Sequence, residues 1–212
     1  AQMMEQAGAD ALEINILSLQ TSKDYQFGSF EQRHIDILRH IKKVVKIPVI
    51  MKLGSNFTNP IALINQLYAN GADGVVLFNR FYQPDINIDN QAFTSTNVMS
   101  SPVELADKIR WTAIASAEIP QMSYAVSGGV HCGKGLIKSI LAGASAVEVC
   151  SVIYQYGDKE IESMKKELQL WMEENGYEKL GQFKGKLNAN AAGMVNPFER
   201  TQFMKYYSSR ED

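Results

Sequence analysis

A lysine stands inside an apolar strand segment, PVIMKLG, where Lys52 has no local reason to be charged. A lysine is seldom buried without a partner. Held at the mouth of a fold, Lys52 could bind an anionic ligand or face a reduced cofactor ring; the alternative is a strand-end lysine that reaches back to water. Two carboxamides, Asn15 and Asn79, end comparable apolar runs. Each offers a donor and an acceptor, which suits a planar ring with alternating C=O and N–H groups, though each alone also suits a loop cap. Ser18 opens the loop after the first of these runs and carries a hydroxyl. By itself it reads as a turn residue.

Glycines supply a different kind of chemistry. Gly128 and Gly129 end one apolar run, and Gly133 to Gly135 follow before the next helical pattern. Without a Cβ in the way, their N–H groups can approach an anion, and a helix start adds partial positive charge. Cys150 and Ser151 end the following run and could close the same cradle around a phosphate. A tight turn that uses glycines only for its geometry is the simpler alternative for Gly128-Gly129. His131 lies close to this cradle, in a loop, while His34 and His40 read as solvated helix positions. Three scattered histidines make no metal cluster.

These residues need a frame, and the chain repeats one. AGADALEI (7–14), NGADGVVL (70–77) and AGASAVEV (142–149) each end a helix on Gly and enter an apolar, β-rich run. KIPVIMKL (46–53) and EIPQMSYAVSGGV (118–130) do the same with a Pro at the junction. Strands are expected at 11–17, 48–54, 74–79, 122–127 and 146–152. Helices are expected at 30–45, about 60–69, 102–116, 133–144 and 158–175, with a shorter one at 177–187. The alternation in DINIDNQAF makes a hairpin or lid of segment 80–100. Repeated βα units mean an α/β fold with a parallel sheet. Five strands suit an open doubly wound sheet, or the later part of a (β/α)8 TIM barrel, about strands 4–8. The alternation of the two junction types favours the barrel.

Composition narrows the class of partner. The 212 residues, 45% hydrophobic and 21% charged with a net charge of −2, are expected to form a single domain, 1–212. That charge gives no reason to expect nucleic acid or an anionic membrane. No apolar run is long enough to span a bilayer. Cys132 and Cys150 lack metal spacing and are expected to be small buried residues in a reduced, cytoplasmic setting. The chain opens on what reads as the end of a helix, AQMMEQAG, without an initiator Met, so upstream strands are expected to be missing from it. A small molecule is the expected partner, and a homodimer stays open.

With these residues assembled, the chain resembles the flavin-dependent dihydroorotate dehydrogenase family over roughly residues 5 to 190. That family's fourth barrel strand ends in glutamate-apolar-Asn-apolar-Ser-(Cys or Ser)-Pro-Asn; here the stretch is Glu13-Ile14-Asn15-Ile16-Leu17-Ser18-Leu19-Gln20. The resemblance implies FMN as cofactor and oxidation of dihydroorotate to orotate, a CH–CH oxidoreduction in pyrimidine biosynthesis. It makes Ser18 the base, Lys52 the flavin-ring contact, and Asn15, Gln20 and Asn79 the substrate ligands. Gly128, Gly129, Cys150 and Ser151 fall at the FMN phosphate. Leu17, Leu19 and Gln20 depart from the motif, Arg80 replaces a Thr or Ser, and Val98-Met99-Ser100-Ser101-Pro102 stands where a Gly-Gly-x-Ser-Gly loop is usual. The competing functions are a flavin-free, phosphate-binding barrel isomerase or lyase, and a degenerate FMN-binding relative with another substrate.

Overall fold

A computed structural model describes residues 1–192 and 197–201. In chain order it contains α1 (Gln2–Gln6), β1 (Leu12–Asn15), α2 (Ser29–Lys42), β2 (Val49–Leu53), α3 (Pro60–Ala69) and β3 (Gly74–Leu77). A hairpin of β4 (Pro84–Asn87) and β5 (Ala92–Ser95) follows, then α4 (Leu105–Glu118), β6 (Ser123–Ser127), α5 (Gly133–Ala142), β7 (Ala146–Glu148), α6 (Ser151–Tyr156) and α7 (Lys159–Glu174). The repeated glycines do what their positions require. Gly8, Gly71 and Gly143 take φ of +92°, +88° and +120°, turning the chain from helix toward strand. Ahead of α3, Asn59 accepts the Ala62 N–H at 3.0 Å and Pro60 opens the helix.

The five parallel strands lie in the order β1-β2-β3-β6-β7, which is their order along the chain. A doubly wound sheet reverses its strand order at a switch point. Here there is no reversal among the described strands, so right-handed crossovers put the helices on one face. Val49, Met51, Leu53, Tyr124 and Val126 are buried on that face. The opposite face carries the in-register row Asn15, Lys52, Val76, Ala125 and Ala146, with Ser127 beside Glu148 one step on.

Curvature decides between the two architectures. Strands sit about 4.8 Å apart, so β2 and β7, three positions apart, would be roughly 14 Å from each other in a flat sheet. Yet Lys52 on β2 reaches Glu148 on β7 at 2.5 Å and Glu13 on β1 at 3.2 Å. The sheet is curled, concave toward these three side chains. It is an arc of a (β/α) barrel with its helices outside.

Several expectations need correction. Strand 146–152 stops at Glu148, because β6 ends at Ser127 in register with it and offers no further ladder partner; residues 151–156 turn helical instead. The helix expected at 177–187 is only a 3₁₀ turn, Leu180–Gln182, within a segment broken by Gly176, Gly181 and Gly185. Phe183 is nonetheless buried, packed on Trp171 and Tyr177. The helix placed at 102–116 opens as a 3₁₀ turn, Pro102–Glu104, and runs on to Glu118. Cys132 is half-buried and Cys150 exposed, so neither is the core cysteine expected. His34 is fully buried rather than solvated. It lies four residues from both Phe30 and Leu38 on the inward stripe of α2, and meets the rings of Phe30 and Phe57 edge-on. Segment 80–100 is the hairpin anticipated, and part of the polar tail lies outside the described residues.

Candidate active site

The carboxyl ends of β2, β3, β6 and β7 meet at a cavity of about 300 Å³. Lys52, Asn79, Gly128, Gly129, Cys150 and Ser151 all line it. Residues separated by a hundred positions in the chain are brought to one wall because parallel strands all end at the same side. Gly128 and Gly129 take φ of +90° and +81°, two successive left-handed residues that only glycine adopts without strain. They differ in surroundings. A Cβ on Gly129 would lie 2.5 Å from the Leu105 backbone nitrogen, so this glycine lets the turn pack on the start of α4. A Cβ on Gly128 would find only the Lys108 side chain at 3.6 Å and the Phe78 carbonyl at 4.0 Å.

Lys52 is 16% exposed and sits between two carboxylates, Glu13 and Glu148. Burial pushes its ammonium down, but the two carboxylates outweigh that and raise it, so it stays a cation. Glu13 is raised, first by burial and then by hydrogen bonding and repulsion from Glu148. Burial works upward on Glu148 too, yet hydrogen bonds from Glu13, Lys52 and Ser127 overcome it and hold that carboxyl below the usual range.

Asn15 and Asn79 are joined. Asn79 Nδ2 donates to Asn15 Oδ1 at 2.8 Å, and Asn79 Oδ1 accepts the Arg80 backbone N–H at 2.8 Å. Each carbonyl oxygen accepts one hydrogen bond, and N–H groups remain on both amides; Asn79 lines the cavity, whereas Asn15 stands behind it. Such donors suit carbonyl or carboxylate oxygens on a ligand.

A strap, residues 97–100, forms part of the wall. Val98 and Ser100 line the cavity. Arg80 holds the strap by donating to the carbonyls of Asn97 and Val98, each at 3.0 Å, while its Nε pairs with Glu104 at 3.1 Å. At the other end, the Ser100 backbone N–H donates to Ser151 Oγ at 2.9 Å, and the Ser100 hydroxyl lies 3.0 Å from both Ser151 Oγ and His131 Nε2. His131 is therefore tied to the cradle through Ser100.

Ser18 and Gln20 stand apart from this cavity's lining. Gln20 Nε2 donates to Ser18 Oγ at 3.2 Å, and the Ser18 carbonyl accepts from Asn56 Nδ2 at 3.1 Å. The loop after β1 is thereby fastened to the loop after β2, one strand over from Lys52.

Glu148, Glu13, Arg80 and Ser100 are the site residues whose roles sequence reasoning missed. A signal for the first two was present. Glu13 and Glu148 each follow the junction glycine of their repeat by five residues, and each is a charge in an apolar run, as Lys52 is.

Residues 1–172 match the sequence model of the dihydroorotate dehydrogenase family. The chain is 33% identical over 187 residues to the catalytic subunit of dihydroorotate dehydrogenase B (NAD(+)) from Thermoplasma volcanium, covering 86% of this chain and 61% of that protein. It is 30% identical over 179 residues to the same-named subunit from Methanocaldococcus jannaschii, covering 78% and 57%. A probable dihydroorotate dehydrogenase A (fumarate) from Enterococcus faecalis is 37% identical over 75 residues, or 35% of this chain and 24% of that one. The chain thus spans about three-fifths of the length of the first two relatives. With a parallel, singly wound arc and a sequence match over most of its length, this chain belongs to the dihydroorotate dehydrogenase family.

Proposed function

We propose that this chain carries the later strands of an oxidoreductase that acts on a CH–CH bond, oxidising dihydroorotate to orotate with flavin mononucleotide in the barrel mouth. The observation that carries this reading is the one cavity lined together by Lys52, Asn79, the Gly128-Gly129 turn and Cys150-Ser151. Those residues fit the cofactor: the double left-handed turn leaves Gly128 open where a side chain would narrow the cradle, and Lys52 offers a fixed cation on the adjoining wall. Gly128, Gly129, Cys150 and Ser151 would hold the phosphate, and Lys52 would face the ring. Flavin mononucleotide supplies, when bound, a ring that accepts two electrons from the substrate.

Residues of this chain supply part of the remaining chemistry. Asn15 and Asn79 present N–H groups to the oxygens of the pyrimidine and its carboxylate, fixing its orientation. Gln20 would add a third amide from the loop after β1. Ser18 takes the proton from C5 of dihydroorotate. Because Gln20 donates to the Ser18 oxygen, the serine hydrogen is left to point to a second acceptor, which a serine acting as base requires. Lys52 stabilises negative charge developing beside it. The strap, held by Arg80 and Ser100, limits water at its part of the wall.

The test is a visible spectrum of the purified protein reconstituted with flavin mononucleotide, before and after anaerobic dihydroorotate. A flavin spectrum that bleaches is expected. A flavin spectrum that persists would remove dihydroorotate as substrate, and a protein that takes up no flavin would remove the whole reading.

A further inference from the structure

Lys52 is flanked by a carboxylate on each side: Glu148 Oε2 at 2.5 Å and Glu13 Oε1 at 3.2 Å. With all three ionised the group carries one excess negative charge. The neighbours in its row, Val76, Ala125 and Ala146, carry none. Arg80, the other cation on the cavity wall, is committed to Glu104 and the strap carbonyls.

The two carboxylates are not equivalent. Glu148 lines the cavity, lies in register with Ser127 and accepts a hydrogen bond from the Lys52 ammonium. Glu13 does not line the cavity and is the more exposed, at 37% against 32%. Hydrogen bonds hold Glu148 in its ionised form, whereas burial and its neighbour push Glu13 toward the protonated form. Of the two carboxyls, Glu13 is the one pushed toward the protonated form, and it is also the one off the cavity wall and more open to water.

We propose that Glu148 is a positioning residue that aims the Lys52 ammonium into the cavity, and that Glu13 gains and loses the proton that matches this group's charge to what the cavity holds. When negative charge enters beside Lys52, a proton from the buffer forms an O–H bond on Glu13. When that charge leaves, the proton returns to water. The linkage to a ligand rests on the reading that the cavity receives a flavin; the sharing of a proton between the two carboxyls does not.

The two parts are tested separately. Carbon-detected NMR of the glutamate carboxyls in the ligand-free protein should place the Glu13 midpoint above, and the Glu148 midpoint below, that of the exposed glutamates. Glu148→Gln should lower the Glu13 midpoint and broaden the Lys52 ammonium signal. Independent titration of the two at the ordinary value, with Glu13 indifferent to Glu148→Gln, overturns the pair. Calorimetry of flavin mononucleotide binding in two buffers of different ionisation heat should then show net proton uptake in the natural protein and its loss in Glu13→Gln. Equal proton counts in both overturn the linkage. Absence of flavin binding with the carboxyl coupling intact refutes the flavin reading and supports the pair. Should Glu148→Gln fail to fold, the Glu13→Gln arm decides, since its amide replaces a carboxyl that is already partly exposed.

Discussion

The amide nitrogen of Asn79 donates to the side-chain oxygen of Asn15 at 2.8 Å, joining the ends of β3 and β1 across the intervening strand β2. The contact does more than connect two loops. It occupies one lone pair of the Asn15 oxygen, the Arg80 N–H occupies one on the Asn79 oxygen, and N–H donors remain on both amides. Asn79→Asp would place a carboxylate against the Asn15 oxygen and turn one donor into an acceptor. We expect it to weaken orotate binding at least tenfold while leaving flavin mononucleotide affinity within about twofold, on the scale of a lost charge-assisted hydrogen bond. Parallel fluorescence titrations with the two ligands check this.

Ser18→Ala should leave the fold and flavin binding intact, because among the described residues the Ser18 hydroxyl is hydrogen-bonded to Gln20 alone and Ser18 does not line the cavity. The rate of flavin bleaching by dihydroorotate in anaerobic stopped flow should fall by about 10²–10⁴, the usual worth of a general base. An unchanged rate would remove Ser18 from the mechanism.

Gly129→Ala and Gly128→Ala form a matched pair. Both put a side chain on a left-handed residue, at a cost of roughly 1–2 kcal/mol. Only the first also drives a Cβ against the Leu105 backbone. Thermal unfolding should show Gly129→Ala as clearly the less stable. Gly128→Ala should instead act on the ligand, raising the Kd for flavin mononucleotide more than that for riboflavin, which lacks the phosphate.

His34 makes stability depend on pH. Burial holds its imidazole below the ordinary value of 6.5, so the unfolded chain takes the proton first. Stability should be full above pH 6.5 and fall as the pH drops through it. The slope for this one group is at most about 1.4 kcal/mol per pH unit. In His34→Phe, which keeps an aromatic ring against Phe30 and Phe57, the contribution of this residue should vanish. Urea unfolding between pH 7 and pH 5 measures both slopes.

Arg80→Ser removes the three contacts that fasten the strap to the barrel rim. Limited proteolysis should then cut more readily between Gln83 and Val98, and bound flavin should dissociate faster. Equal cleavage in both proteins would show that Ser100 and its partners hold the strap alone.

Much of this arrangement was legible in the chain. The junction glycines, the Pro60 helix start and the alternation of segment 80–100 are local features, and local sterics and hydrogen bonding decide them. Lys52 was legible as an anomaly because a charge in an apolar run has to be accounted for wherever the strand goes. His34 was not legible, since a helix's inward stripe depends on which side the sheet lies, and a polar residue can be recruited to it by two aromatic neighbours. The end of β7 was also invisible, because strand length is set by the ladder partner and not by the strand's own β-branched residues.

By itself the sequence determined the units: five apolar strands, the helices between them, the glycine cradle and one misplaced lysine. Only the tertiary structure decided that Glu13 and Glu148 are that lysine's partners, that Asn15 and Asn79 bind each other, and that Arg80 is a clamp. The reason is range. Turn and helix chemistry acts over a few residues, whereas the bond from Lys52 to Glu148 spans 96 positions and exists only because the sheet curls.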